Sequence, residues 1–575
     1  MFPQIKTNSY LLHRIDSMTN EMLNFVIEIM FTQRIRKIFI TTLISALSGS
    51  LFAQDITIYK AAGIYLADTS FSVVEAMVVR EGRILATGNY KSLANAFPTA
   101  KTVKFKKKYI YPGFIDAHSH FLGYAKGLKE CNLVGTSSAE DAVNKLKTFA
   151  AGSKRHWLVG RGWDQNDWAN KAYPSIDLLD KAFPDRPVYL SRVDGHAAWV
   201  NSAAIKELGI DLQKPISGGE ILFQDGKFTG ILIDNAADLV SSLIPPLEES
   251  IKKDAVLQAA QNCYRAGLTS VCDAGIDAAD IGFYKGLHLS KSLDLRIYAM
   301  LSANQNNLAW VSENGVLKTD RLHVCAVKFY LDGALGSRGA LLKSDYCDRL
   351  GHKGLLITNP NDLMYQSFFL QNQAYQVCVH AIGDSANKIA LSTFSKVIYP
   401  GNPVRWRIEH AQITDAADMH YYREHSIIPS VQPTHATSDA PWALDRICAQ
   451  RAGRAYAFET LRQNAGIVAL GTDFPVEDIS PLKTFYSAVT RMDTEGKMKE
   501  PFLPAQALSR KSALYGMTLW AAIAAFEEAE KGSLEVGKVA DFVVTSADLM
   551  TVPDNKIPSI KIIATYIDGK SMFKK

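Results

Sequence analysis

The chain has 575 residues, of which 47% are hydrophobic and 21% are charged, and its formal net charge is +5. This length predicts about two structural units, and the composition is that of an ordinary soluble globular protein. Because the net charge is small and the sequence has no long basic run and no basic stripe with interleaved aromatic residues, nucleic-acid binding is not expected.

The N-terminal segment 1–54 predicts a secretory signal peptide behind an over-extended N-terminus. Three basic residues precede the apolar run 38–52, and the small residue Ala53 follows it. Because roughly thirty residues lie in front of this pattern, Met22 and Met30 are alternative start positions. We expect export, to the periplasm of a bacterium, and no stable membrane insertion after cleavage. An uncleaved anchor or a mitochondrial presequence is the alternative.

The seven cysteines predict neither a disulfide framework nor a zinc finger. Three lie in apolar strand-like runs, where a free thiol behaves as a small hydrophobic side chain. These three are Cys272, Cys325 and Cys378. The four that show no paired spacing are Cys131, Cys263, Cys347 and Cys448. We therefore expect mostly free cysteines.

Segment 55–108 predicts short strands joined by turns, because apolar and polar residues alternate along it. From residue 109 onward, short β-branched runs alternate with longer helical stretches, which indicates βα units and a parallel sheet. The eight predicted strands are 109–118, 267–275, 295–300, 324–333, 376–384, 405–412, 427–435 and 467–477. This pattern predicts an α/β fold, a (β/α)₈ TIM-like barrel over 109–532.

Two further segments complete the predicted organisation. The gap between the first and second predicted strands is far longer than an ordinary βα connection, so it predicts an inserted subdomain over about 121–265. Segment 533–575 is again strand-like, and we expect it to return to the β unit formed by 55–108.

Metal-binding residue types recur where the predicted barrel strands end. His118 and His120 lie two positions apart, so they point to the same side of one strand and can reach one ion. Single candidates follow on four later strands, and these are Lys328, His380, His410 and Asp473. Because all strand ends meet on one face of a closed barrel, the sequence predicts a site for one or two divalent ions, with zinc the expected metal.

The chain resembles the amidohydrolase superfamily, and within it the YtcJ-like branch, the amidohydrolase-3 group that includes N-substituted formamide deformylases. The resemblance runs from about Thr57 to the C-terminus. Its motifs are GFIDAHSH (113–120), DGHAAWVNSAA (194–204), VKFYLDGALGSRGALL (327–342), HAIGD (380–384), RIEHAQ (407–412), SVQPTHATSDAPWA (430–443), GTDFPVE (471–477) and KGSLEVGKVADFVV (531–544).

This resemblance implies a specific ligand set and a composite β-sandwich built from the two terminal β segments. The implied metal ligands are His118, His120, Lys328, His380, His410 and Asp473, without substitution. In many members of the superfamily the equivalent lysine is carboxylated and bridges two ions. A free ammonium has no lone pair, so Lys328 must be modified or neutral to bind a metal. The family also allows a homodimer.

The predicted reaction is hydrolysis of a non-peptide C–N bond in a small N-acyl or N-formyl amine by metal-activated water. Asp473 is the expected general base, with Lys328 and His410 as the other catalytic residues. Glu409 or Asp384 could orient an imidazole. Alternatives on the same site are a deaminase, a cyclic-amide hydrolase or a dipeptidase, whose substrate carboxylate Arg338 or Arg192 would hold. A non-catalytic binding barrel is a further alternative.

Four residues are predicted to contact the substrate, and these are His196, Arg338, His435 and Trp163. Trp163 lies in the run GRGWDQNDW (160–168), which predicts either a substrate wall or a structural turn held by its two aspartates. Arg338 would hold a carboxylate or an oxyanion, or would order its glycine-rich loop.

Overall fold

A computed structural model of the chain describes residues 56–399 and 401–575. The predicted signal peptide and its alternative start positions lie outside these residues. Within the described ranges, no helix is both long enough and apolar enough to cross a membrane.

Eight parallel strands form the predicted barrel, and each pairs with the next one in chain order. Their bounds are Phe114–Ser119 (β1), Leu268–Ile276 (β2), Arg296–Ser302 (β3), Leu322–Tyr330 (β4), Gln376–Ala381 (β5), Arg407–His410 (β6), Ile428–Val431 (β7) and Ala469–Leu470 (β8). The segment that follows β8 lies beside β1, where the Asp473 N–H donates to the His118 carbonyl oxygen, at 2.7 Å. The predicted (β/α)₈ architecture is confirmed.

The first predicted strand, 109–118, is in fact the end of one strand and the beginning of another. Lys101–Pro112 belongs to the sheet formed by the chain ends, and the barrel strand β1 begins at Phe114. Gly113 separates them where the backbone approaches β2, since a Cβ at Gly113 would lie 2.3 Å from Thr269 Oγ1. The apolar run 109–111 is therefore not part of the barrel.

Helices connect most barrel strands and cover the outside of the sheet. Asp384–Val397, which follows β5, shows why: it buries Ala386, Ala390 and Phe394, which recur at helical spacing on one face. The helices between β2 and β8 are Ala278–Leu289, Gln305–Asn314, Pro360–Asn372, Asp384–Val397, His420–Glu424, Pro433–Ser438, Ala443–Arg451 and Phe458–Ala465. The helices after β8 are Pro481–Thr490, Arg510–Gly516 and Leu519–Ala524.

The long connection between β1 and β2 contains the inserted subdomain. Its six-stranded sheet has the order Gly219–Gln224, Lys227–Asp234, Ala197–Val200, Val188–Arg192, Leu158–Trp163 and Cys131–Asn132. The helices of this connection are Phe121–Gly127, Ala139–Gly152, Ile176–Ala182, Ser202–Leu208, Asn235–Ser241 and Glu249–Ala266. Tryptophans and aliphatic side chains fill its core.

The two ends of the described chain meet in one seven-stranded sheet. Its order is Lys570–Lys574, Ile562–Ile567, Phe542–Thr545, Lys101–Pro112, Thr57–Tyr65, Val73–Arg80 and Arg83–Gly88, and the helix Tyr90–Ala96 lies before Lys101. Phe542–Thr545 runs antiparallel to Lys101–Pro112, so the last segment of the chain completes the first β unit.

The prediction for the cysteines is right for five and wrong for two. Cys347 and Cys448 form a disulfide, with their Cα atoms 5.9 Å apart and a sequence separation of 101. The pair has no signature in sequence because only the fold brings the loop after β4, which carries Cys347, to the helix Ala443–Arg451 after β7, which carries Cys448. The other five, which are free and buried, are Cys131, Cys263, Cys272, Cys325 and Cys378.

Candidate metal centre

His118, in β1, and His120, which directly follows β1, point into the mouth of the barrel and face the same carboxylate. His118 Nε2 lies 3.4 Å from Asp473 Oδ1, and His120 Nε2 lies 3.2 Å from the same oxygen. His120 Nδ1 donates to the carbonyl oxygen of Ala274, at 2.9 Å, which leaves Nε2 of that ring as the nitrogen with a free lone pair. His118, His120 and Asp473 can thus offer three ligand atoms to one ion.

A buried carboxylate fixes the ring of His118 from behind. Glu409 Oε2 lies 2.5 Å from His118 Nδ1, and Arg407 donates to both oxygens of Glu409. Burial would raise the pKa of Glu409, but Arg407 and His118 outweigh it and hold the pKa well below its usual value. Glu409 therefore orients an imidazole, as the sequence suggested, but this is His118 rather than its chain neighbour His410.

His380 and His410 form the other side of the cluster. Their ring centroids are 4.4 Å apart, and the His410 ring lies 4.8 Å from that of His118. Burial lowers the pKa of His380 and His410 well below the usual value, so both rings are neutral. His380 Nε2 and His410 Nδ1 are buried and have no hydrogen-bond partner. His410 reaches the interior beside Glu409 because its φ of 70° turns the backbone out of the strand.

Lys328 lies inside the same cluster. Its Nζ is 3.5 Å from His118 Nε2 and 4.5 Å from the centre of the Tyr330 ring. The side chain is fully buried, and this burial lowers the pKa of the amine. A lowered pKa favours the neutral amine, which is the form that can bind a metal or be carboxylated.

Asp473 connects the two halves of the cluster. Its second oxygen, Oδ2, lies 3.3 Å from His435 Nε2, so His410, His435 and Asp473 form a second group that can hold an ion. Burial would raise the pKa of Asp473, but the surrounding imidazoles outweigh it, and the pKa is lowered well below its usual value. His435, predicted as a substrate contact, is therefore as close to Asp473 as the predicted ligands are.

His196 reaches the cluster from the inserted subdomain. Its ring centroid is 5.0 Å from that of His380, and its Nδ1 is 2.7 Å from Asp234 Oδ1. Asp234 lies at the end of a strand with no motif, and only the fold brings it beside His196. Asp332, which lies 3.6 Å from His380 Nε2, was also not identified from the sequence, although it belongs to the motif at the end of β4.

Two of the predicted substrate contacts have other partners. Arg338 makes an ion pair with Asp348, at 2.8 Å. The Trp163 indole donates to the Leu190 carbonyl oxygen, at 2.8 Å, and its ring packs in the core of the inserted subdomain. The structure therefore makes Trp163 a core residue, and it places Arg338 in an ion pair that orders its loop.

Two further sequence candidates are also engaged elsewhere. Arg192, a candidate carboxylate clamp, makes ion pairs with Asp164 and Asp194. Asp384 accepts a hydrogen bond from the Lys343 N–H, at 2.8 Å, instead of orienting His380. Asp164 also accepts from the Asn166 N–H, so the part of the run that follows the strand Leu158–Trp163 is a structural turn held by Asp164.

The donor set suits a divalent metal. Four buried side-chain atoms of the cluster have no hydrogen-bond partner, and they are His380 Nε2, His410 Nδ1, His435 Nε2 and Asp473 Oδ1. Leaving buried polar atoms unpaired costs about 1–3 kcal/mol each. Neutral imidazoles and one carboxylate are the ligands of catalytic zinc sites, so a bound ion would satisfy these atoms.

Comparisons with known proteins agree with this geometry. Residues 102–573 match the model of the Amidohydrolase family. Protein LONG AFTER FAR-RED 3 of Arabidopsis thaliana is 30% identical over 529 residues, with 89% of this chain and 90% of that protein covered. YtcJ of Bacillus subtilis (strain 168) is 29% identical over 518 residues, with 87% and 96% covered.

The chain is also similar to an enzyme and to a protein of solved structure. The N-substituted formamide deformylase of Arthrobacter pascens is 23% identical over 539 residues, with 89% of this chain and 97% of that protein covered. The crystal structure of an uncharacterized metal-dependent hydrolase from Pyrococcus horikoshii OT3 superposes with a TM-score of 0.72 at 25% identity, with 87% of this chain and 99% of that chain covered.

Proposed function

Because the chain belongs to the amidohydrolase family, we propose that it is a metal-dependent hydrolase that cleaves the C–N bond of an N-acyl or N-formyl amine. The observation that carries the proposal is the convergence of four imidazoles, Asp473 and Lys328 at the carboxyl ends of the barrel strands. The similarity to a formamide deformylase supports this substrate class.

We propose zinc as the ion, held by His118, His120, His380, His410 and Asp473, with Lys328 as a further ligand once it is neutral or carboxylated. When bound, such an ion supplies a Lewis acid that activates water and polarises the amide carbonyl. We propose His410, His435 and Asp473, the second group of ligand atoms, as the site of a second ion.

We propose that Asp473 is the general base and general acid of the reaction. Its carboxylate takes a proton from the attacking water and delivers it to the amine nitrogen as the C–N bond breaks. The hydroxyl group remains on the acyl carbon, so the products are a carboxylic acid and an amine. His435 lies beside Asp473 and His196 lies beside His380. We propose that these two imidazoles contact the carbonyl oxygen as its charge develops.

The test is a substrate screen with two readouts. The full-length protein, loaded with zinc or manganese, is given N-formyl, N-acetyl and longer N-acyl amines, and release of carboxylate and of ammonia is measured. Metal-dependent release of formate or another acid supports the proposal. Ammonia without acid, from amino-substituted rings, would replace it with a deaminase. Asp473→Asn is the inactive control, and Asp362→Asn, at an exposed helix position, controls for the loss of a carboxylate.

We also propose that the protein is exported. The support is the order of basic, apolar and small residues before Asp55 together with the Cys347–Cys448 disulfide, since disulfides persist mainly in oxidising compartments. Expression in a bacterium followed by fractionation and N-terminal sequencing tests this. A protein found in the periplasm that begins near Asp55 supports export, and one that stays in the cytoplasm with its N-terminus intact contradicts it.

A further inference from the structure

Arg161 is a guanidinium beside the segment that carries His196, and within the described ranges it has no ion pair with a carboxylate. It lies on the strand Leu158–Trp163 of the inserted subdomain. Its hydrogen bond goes from Nη2 to the carbonyl oxygen of Val193, at 2.8 Å, and its Nε is buried without a partner. Among the described residues no carboxylate makes an ion pair with it. Burying the Nε of a cation without a partner is costly, and an anionic ligand would offset that cost.

The neighbouring arginines differ from Arg161 in this respect. Arg192 is held between two aspartates, and Arg338 and Arg446 both bond to Asp348. These side chains have internal carboxylates, so none of them is free to take a carboxylate from a ligand. The two arginines considered from the sequence as carboxylate clamps, Arg192 and Arg338, are thus unsuitable for that role.

The guanidinium of Arg161 lies beside the backbone of residues 193–195, directly before His196. A Cβ built on Gly195 would lie 3.4 Å from its Nη1, so the guanidinium packs against the backbone just before His196. The His196 ring is itself 5.0 Å from that of His380. A ligand that contacts both His196 and Arg161 would therefore reach the metal centre.

The acidic side chains around Arg161 do not compete for it. Asp194 is bound to Arg192, and Asp234 is bound to His196. Burial lowers the pKa of Arg161 and Glu130 offsets this only in part, and Glu130 makes no ion pair with it within the described residues. The guanidinium consequently keeps hydrogen-bond donors for a planar anion, and its fork matches a carboxylate.

We infer that Arg161 binds a carboxylate of the substrate, so that the substrate class is N-acylated or N-formylated amino acids rather than neutral amides. This assignment rests on the proposed amide hydrolysis at the same metal centre. Arg161 acts in it as a binding residue, which holds the carboxylate of the substrate while the amide lies at the metal centre.

The test compares two ligands that differ only in the carboxylate. N-acetylphenylalanine and N-acetylphenethylamine are titrated calorimetrically into full-length, zinc-loaded protein carrying Asp473→Asn, so that turnover does not interfere. We expect the carboxylate ligand to bind about 10- to 100-fold more tightly, the range of a hydrogen bond to a charged group. Arg161→Gln should remove this preference and Arg161→Lys should retain part of it. Arg265→Gln, which removes an exposed arginine of helix Glu249–Ala266, should leave it intact.

Equal affinity for the two ligands, a preference that survives Arg161→Gln, or no binding of either ligand would overturn the inference. Circular dichroism on each variant confirms that the fold is retained. Hydrolysis of the same two amides by the zinc-loaded wild-type protein separates the two proposals. Hydrolysis without a carboxylate preference removes only the role of Arg161, whereas Arg161-dependent binding without hydrolysis of any amide removes the proposed reaction and leaves a carboxylate site.

Discussion

Glu409 crosses the barrel interior to place one carboxylate oxygen 2.5 Å from Nδ1 of His118. The two residues lie 291 positions apart in sequence, and both are fully buried. Arg407 neutralises the other side of Glu409 and also donates to the Ala117 carbonyl oxygen, at 2.7 Å. The orientation of the His118 ring is therefore set by Glu409 and Arg407 of β6 rather than by β1, the strand that carries His118.

Glu409→Gln should weaken metal binding about 10- to 100-fold, the usual effect of losing the group that orients a ligand. The amide cannot hold the His118 ring as the carboxylate does. It also leaves Arg407 buried without its counter-ion, so the free energy of unfolding should fall as well. Zinc affinity is measured by competition with a chelator on the folded protein. Glu424→Gln, whose side chain is 59% exposed, is the matched control and should retain wild-type affinity.

Asp473→Asn and His118→Ala should separate catalysis from metal binding. Asp473→Asn should lower kcat about 10²- to 10⁴-fold, because the base is lost, while much of the bound metal remains. His118→Ala should lose the metal and the activity together and keep the fold. Bound zinc is measured by atomic absorption, and kcat by acid release. Wild-type turnover in the Asp473→Asn variant would remove Asp473 from the role of base.

The barrel was predictable from sequence because most of its buried strands are short β-branched runs separated by helical stretches. The same pattern could not distinguish Lys101–Pro112, in the sheet of the chain ends, from β1, because both are apolar where they meet. Only the close approach of Gly113 to Thr269 shows where one sheet ends and the barrel begins.

The candidate site was predictable to the extent that its residues stand at strand ends within motifs. His118, His120, Lys328, His380, His410 and Asp473 do so, and the fold brings them together. The partners of these side chains were harder to identify. Adjacent strand residues ordinarily face opposite sides, so the sequence does not show that Glu409 and His410 both reach the interior, which the positive φ of His410 allows. Asp234 and Arg161 depend on how the inserted subdomain docks.

We expect His288 to lower the free energy of unfolding as the pH falls below 6.5. Its Nε2 donates to the Leu295 carbonyl oxygen, at 3.1 Å, its Nδ1 is buried without a partner, and burial lowers its pKa from 6.5 to about 4. Between these values the unfolded chain binds a proton that the folded chain does not, so this contribution is complete above pH 6.5 and is lost as the pH falls towards 4.

At about pH 5 the loss from His288 is about 2 kcal/mol relative to about pH 7.5. His288→Gln keeps an N–H donor but does not titrate, so the difference in the free energy of unfolding between these pH values should shrink by this amount. Urea unfolding of both proteins provides the measurement. A variant with the same pH difference as the wild type would contradict the prediction.

Removing the Cys347–Cys448 disulfide should lower the free energy of unfolding by about 2–4 kcal/mol, because the bond closes a long loop and restricts the unfolded chain. The double variant Cys347→Ser, Cys448→Ser is compared with the wild type by urea unfolding without reductant. Dithiothreitol should bring the wild type to the stability of the variant and leave the variant unchanged. Alkylation of the denatured, unreduced protein should label the five free cysteines. Labelling of all seven would contradict the disulfide.

The pairing of the two chain ends has a consequence for the order of folding. Tyr111 donates to Asp548, at 2.8 Å, across 437 positions of sequence, and Phe542–Thr545 is the strand that lies beside Lys101–Pro112. During synthesis the N-terminal strands must therefore wait until nearly the whole chain has left the ribosome before their sheet can be completed. Contacts between such distant positions slow folding, so β1, which follows Lys101–Pro112 after the single residue Gly113, should reach its final position late, and the metal centre should form after most of the barrel.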